Sequence, residues 1–253
     1  MSAGSDHVAK LSKAPLQEVI FEAFWELSVN PQTKQPHDPG FELAQGVFAE
    51  NVSERFPYHK RMPHLIVPPF LMNPQPVHQF WHGEGEWPVL QLGPGLFAAN
   101  ETEKNYVWDS EFLPVIRYGL EAVVRSYKTP PPFNRVSLRY IDAVELEGEF
   151  KDDFIMFIET NLQIRVDRGF EMDGTISNQM VNQTHKLEDG SVLNLMVSDG
   201  QRNAKPAVVW QTVVMKEGRF SVDDIREWVP NAHSVCSGLF RKMLRKGYYD
   251  SLK

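Results

Sequence analysis

The sequence predicts an α+β protein built on a largely antiparallel sheet with amphipathic helices packed on it. Three observations carry this. Apolar residues alternate at period two in several segments, separated by turn signals such as Glu84-Gly85-Glu86, Glu188-Asp189-Gly190 and Asp199-Gly200. Apolar stripes at i, i+3, i+4 and i+7 lie between them, the cleanest running from Phe112 to Tyr127. Most of the strands follow one another through short turns instead of helical crossovers, which favours antiparallel pairing.

In chain order, residues 1–13 are small and polar and read as a disordered leader. Pro15 opens a strand in which Val19, Phe21, Ala23 and Trp25 share one face, with Ile20, Glu22 and Phe24 on the other. Asn30–Gly40 is a turn-rich loop. Asp38-Pro39 matches a helix N-cap followed by proline, and Phe41, Leu43, Ala44, Val47, Phe48 and Val52 then fall at helical spacing, up to Pro57. From Tyr58 to Pro76 five prolines predict an irregular loop facing a partner.

A short strand follows at VHQFWHG, and a second one from Trp87 bends at Gly93-Pro94-Gly95 before resuming at Leu96–Ala99. Asn100–Asn105 reads as a polar loop. The helix of Phe112–Tyr127 ends at Thr129-Pro130-Pro131-Pro132. In RVSLRYIDAVEL, Val136, Leu138, Tyr140, Asp142 and Val144 point one way, and Arg135, Ser137, Arg139 and Glu145 the other. KDDFIMFIETNL is a helix starting at Asp152 or Asp153. Residues 168–183, 191–199 and 206–217 form an antiparallel meander, and Ser221–Asp224 caps a last helix that Pro230 should kink or divide.

The expected organisation is one domain over residues 14–253. A division into two similar β-α-β-β-α-type halves, 14–129 and 133–253, stands as an alternative. With 253 residues, 42% of them hydrophobic, a core forms without staples. The single cysteine, Cys236, excludes an intrachain disulfide and Cys-only zinc motifs, and fits a reducing cytoplasm. No apolar run approaches the ~20 residues that span a bilayer. The net charge of −7 argues against a nucleic-acid partner, which calls for a basic face.

Candidate chemistry is sparse. Arg139, Tyr140 and Asp142 lie on the most regular strand; an Asp on an apolar face needs a partner, with Arg117 one option, or lines a ligand pocket. His233 and Cys236, at i and i+3, could form a nucleophile pair, but the cysteine lies in an apolar stripe and reads as core. His78 and His82 share a strand face about 13 Å apart at ~3.3 Å per residue, too far for one metal, and read as rim histidines. Arg241, Lys242, Arg245 and Lys246 complement the dipole of the last helix, with Tyr248 and Tyr249 beside them as stacking groups for a nucleic acid. Phe70, Phe80 and Trp81 read as exposed aromatics for an interaction surface. No cofactor or metal is expected.

APLQEVIFE, the WPVLQLGPGLFAANE and YVW segments, LRYID and AHSVCSGLF together resemble an uncharacterised, sporadically distributed family of bacterial cytoplasmic proteins of about this length. The resemblance implies a bacterial origin and a shared fold. It also implies asparagine at position 142, where this chain has Asp142, and its patchy distribution suits an accessory gene in a defence or toxin-linked operon. The function expected is therefore a non-enzymatic cytoplasmic binding protein, engaging a partner protein, another copy of itself or a small apolar ligand. A hydrolase or transferase using Asp142, Arg139 and His233 is the alternative, and a nucleic-acid-associated subunit the third.

Overall fold

The computed structural model describes residues 11–62, 74–102, 106–151, 153–167 and 178–253. Its strands are β1 (Leu16–Trp25), β2 (Ser28–Val29), β3 (Pro36–His37), β4 (Tyr58–Arg61), β5 (His78–Gly83), β6 (Glu86–Gly93), β7 (Leu96–Thr102), β8 (Phe133–Glu145), β9 (Met180–Lys186), β10 (Val192–Arg202) and β11 (Lys205–Phe220). Its helices are α1 (Phe41–Val52), α2 (Leu113–Ser126), α3 (Phe154–Asn161), α4 (Val222–Met243) and α5 (Lys246–Ser251). Nine strands form one sheet in the order β4-β5-β6-β7-β1-β8-β11-β10-β9, and β2 pairs with β3 apart from it. Every neighbouring pair is antiparallel.

The order contains an internal correspondence. A long strand (β1 or β8), a helix (α1 or α3), a three-strand meander (β5-β6-β7 or β9-β10-β11) and a second helix (α2 or α4) follow one another twice. In each case the last meander strand returns to pair with the first long strand, and β1 and β8 pair in the centre. The two runs meet at residues 129–132. The sheet nevertheless continues across that junction, and one apolar cluster draws on Phe21, Phe97, Ile116, Leu138, Val214 and Trp228 from both sides of it.

Alternation decides which face is buried. Val19, Phe21 and Ala23 of β1 lie opposite Tyr140, Leu138 and Val136 of β8, which in turn lie opposite Thr212, Val214 and Lys216 of β11. These rows carry the core side chains, and the helices pack on them. α2 buries Leu113, Ile116, Leu120 and Val123 and leaves Arg117, Glu121 and Arg125 exposed. A second cluster around the fully buried Trp210 joins Leu195, Val208, Phe157, Ile158 and Met243 beneath α3, α4 and α5. All five helices' core contacts fall on this face.

Several expectations change. Residues 58–61 form β4 instead of irregular loop, because their backbone pairs with His78–Trp81. Gly93-Pro94-Gly95 is a hairpin reversal and not a bent strand: β6 ends at Gly93, where a Cβ would stand 1.9 Å from the Gln75 carbonyl oxygen, and Gly95 has φ +73. Asn100–Thr102 belong to β7. In α1, Leu43 is 83% exposed and Val47 45%, so the apolar stripe is narrower than its spacing predicts. α4 runs 22 residues through Pro230 without dividing, held on both sides of the proline by buried Ile225, Trp228, Val229, Ala232 and Cys236. Its capping box, Ser221 with Asp224, and the Asp153 N-cap of α3 are as predicted.

Leu11 packs on the second cluster and the Lys13 N–H donates to the Leu252 carbonyl, so residues 11–13 are tied down where a loose leader was expected. Phe70, Asp152, much of the proline-rich stretch and the start of the predicted strand at 168 lie outside the described residues. Among the described residues, no helix is long and apolar enough to cross a membrane.

Candidate functional site

The residues singled out on β8 separate onto two faces. On the helix side the Tyr140 hydroxyl stands 2.8 Å from the Tyr106 hydroxyl and 2.8 Å from His233 Nδ1. The His233 ring lies flat on Trp108, with centroids 3.9 Å apart and planes at 9°. Tyr106 and Trp108 are supplied by the stretch leading into a π-helical turn, Trp108–Phe112, that precedes α2. This joins the aromatic loop, the central strand and α4 in one hydrogen-bonded line.

The electrostatics hold that line in its neutral forms. Burial drives both tyrosine hydroxyls well above their ordinary range, each raised further by neighbouring acidic groups. Burial also lowers His233 from 6.5 to about 4, against the opposing effect of Asp109. At neutral pH the imidazole is thus neutral and a hydrogen-bond partner to Tyr140, with little capacity to take a proton as a general base. An unfolded chain binds a proton at this histidine below pH 6.5 that the folded protein refuses until about pH 4. His233 therefore removes about 3 kcal/mol of stability as pH falls across that window. We expect denaturant midpoints of His233→Gln minus wild type to rise between pH 6.5 and 4.5; a pH-independent difference would contradict the assignment.

Cys236, 3% exposed, sits behind this line on α4, where burial holds its thiol far above the ordinary value. It is a packed core side chain, as its apolar stripe predicts. In native protein, labelling by a thiol reagent should proceed only at the unfolding rate, and immediate reaction would overturn this.

Asp142, 5% exposed, lies between the two apolar clusters. Burial raises its carboxyl from 3.8 to about 7, opposed by the indole N–H of Trp210, which itself completes no hydrogen bond. No described lysine or arginine stands against it: Arg117 is exposed on α2, so the expected ion pair is absent.

Arg139 points to the other face, beside Ile20 and Val213. Its Nε is buried and makes no hydrogen bond, and the guanidinium forms no ion pair among the described residues. The nearby carboxylates are engaged elsewhere: Glu18 accepts from Asn100 Nδ2 at 2.7 Å and Glu22 from the Ser137 hydroxyl at 2.8 Å. Trp81 is half-buried on this same side, edge-on to Trp87 with centroids 5.2 Å apart. Phe80 alternates to the core, 1% exposed and 5.1 Å from Phe48, so its expected place on an exposed surface is corrected. Arg139 therefore cannot act together with Asp142 and His233, because a sheet lies between them.

Two arrangements escaped the sequence. His59 Nε2 is 2.9 Å from His78 Nδ1, with His59 stacked on Phe80, and His78 is buried instead of lying on a rim. Its signal would have been the pairing of β4 with β5, which the prolines obscured. No three His, Cys, Asp or Glu gather around a metal position among the described residues. Asp38 accepts from Trp25 Nε1 at 2.9 Å, the Tyr127 hydroxyl at 2.8 Å and the Gly40 N–H at 3.0 Å, so it ties β1 to the end of α2 and does not cap α1. At the C-terminus, Arg241 and Lys242 stand in the last turn of α4 as predicted, whereas Lys246 pairs with Asp250 and Arg245 Nε donates to the Leu162 carbonyl. Comparison finds no matching family model, no similar curated protein and no similar solved structure.

Proposed function

We propose that this protein is a non-enzymatic binding protein of the bacterial cytoplasm whose partner is another protein, held on the sheet face opposite the helices. One observation carries the reading. Arg139, with a dehydrated and unbonded Nε, stands between the aliphatic side chains of Ile20 and Val213, with Ile141 next along its strand. Arginine is enriched at binding hot spots, and this guanidinium, which forms no ion pair among the described residues, suits a carboxylate on the partner. The half-buried Met196 and Met215 and the Trp81–Trp87 pair extend the same face.

The hydrolase or transferase alternative loses support, because its three residues do not converge and the helix-side groups are held in unreactive protonation states. The cytoplasmic placement rests on the one free, buried cysteine and on the family resemblance.

The test places a photo-crosslinking amino acid at Ile141 or Val213 in the native host, with exposed Glu111 on the helix side as control. Adducts to one protein from the sheet positions only, abolished by Arg139→Glu, are expected. No adduct from the sheet face, or the same adducts from both faces, would sink the proposal.

A further inference from the structure

The two ends of the sheet differ. β4 is four residues long and carries Lys60 and Arg61, and short, charged edges resist pairing. β9 is seven residues long, MVNQTHK, with a lysine only at its last position and no proline or glycine. It pairs with β10 on one side, and no described strand covers the other. Six of its seven residues are exposed. Because hydrogen bonding alternates along an antiparallel strand, every second residue of β9 directs its N–H and C=O outward.

A pocket of about 260 Å3 opens at the start of this strand, lined by Phe154, Ile155, Val166, Gln179, Met180 and Val181. It falls below the roughly 300–1,000 Å3 of sites that enclose a small molecule or cofactor, and its scale is that of an inserted side chain. The Gln179 Oε1 beside it is buried and accepts no hydrogen bond. Val181 points to this pocket on the helix side, and Met180, 56% exposed, alternates to the other face.

We infer that β9 and this pocket form a second docking site, taking an extended peptide segment of a partner protein as a tenth strand. The peptide backbone bonds to the outward groups of β9, and one apolar side chain enters the pocket. This is strand addition, in which main-chain bonds supply affinity and a side-chain pocket supplies selectivity. A second copy of this chain fits less well. In a symmetric antiparallel pairing centred on Gln183, Met180 meets Lys186 of the other copy, and the residue brought past Lys186 toward the pocket is Leu187, which is partly buried in its own core.

The pocket opens on the helix side, where Val181 points, and Arg139 points to the other, so each proposal can fail without the other. The test pans full-length protein against a random twelve-residue peptide library displayed on phage. The best binder is then made synthetically and titrated by fluorescence anisotropy. Selected peptides should alternate apolar and polar residues and protect β9 amides from hydrogen exchange. Ile155→Asp, in the pocket lining, should weaken binding at least tenfold. Gln183→Pro and Thr184→Pro provide the backbone test, because one of these adjacent residues directs its N–H outward. The variant that keeps the wild-type melting curve should also lose binding at least tenfold, while Arg139→Glu leaves it unchanged. No enriched peptide, binding indifferent to these substitutions, or a β9-dependent dimer of the free protein would each overturn the inference.

Discussion

Asp142→Asn is expected to stabilise the protein at pH 8 by up to about 4 kcal/mol and to leave it nearly unchanged at pH 4. The carboxyl rises from 3.8 to about 7 because it is 5% exposed and no described cation accompanies it. At about 1.4 kcal/mol for each pH unit, ionising it inside the fold removes about 4 kcal/mol. The folded state binds this proton more tightly than the unfolded state does. Stability is therefore highest below about pH 4 as far as this group is concerned, declines as pH rises from 4 to 7, and stays reduced above 7. Asparagine has nearly the same shape and never charges, and its amide oxygen can accept from the Trp210 indole N–H that is now unbonded. Denaturant unfolding of both proteins from pH 4 to 8 gives the difference directly. Parallel curves would mean that Asp142 finds a partner or water in solution.

His233 acts with the opposite sign over much of the same window. Between about pH 4 and 6.5 the folded protein holds a proton at Asp142 that the unfolded chain lacks, and lacks one at His233 that the unfolded chain holds. The wild-type curve should be nearly flat there as far as these two groups are concerned, and each single substitution should expose the slope of the other.

Asp38→Ala is the second large effect, a loss of about 3–5 kcal/mol. It leaves the indole N–H of Trp25, a side chain 3% exposed, and the Tyr127 hydroxyl without their acceptor. Each unsatisfied buried group costs about 1–3 kcal/mol, and the Gly40 N–H loses its bond as well. Asp38→Asn keeps one acceptor oxygen and should lose less than half as much. Thermal melts of the two variants separate the cases. Equal losses would show that charge, and not acceptor count, is what Trp25 and Tyr127 require.

The sequence by itself determined the fold class, and it did so where period and burial coincide. β1, β8, α2 and α4 were all legible, because their buried residues recur at 2 or 3.6 and their ends carry strong stop or cap signals such as Pro130–Pro132 and Ser221–Asp224. Asp142 was visible as an anomaly on an apolar face. The alternation that sets Arg139 against Tyr140 and Asp142 was also in the sequence, yet the hydrolase alternative joined Arg139 to Asp142, and the sheet keeps them apart.

Only the tertiary structure decided what each polar group meets. β4 draws its hydrogen bonds from β5 and not from its own residues, so proline density nearby concealed it. Asp38, adjacent to Pro39, has the local pattern of an N-cap, yet its bonds run to Trp25 and to Tyr127, 89 residues away. Phe80 and Trp81 are consecutive aromatics of similar hydrophobicity, and the sheet alone sends one to the core and the other to the opposite face. Local propensity and periodicity are properties of neighbours along the chain. The partner of a buried carboxylate, and the β9 edge that no described strand covers, depend on which strands lie side by side, and long-range pairing sets that order.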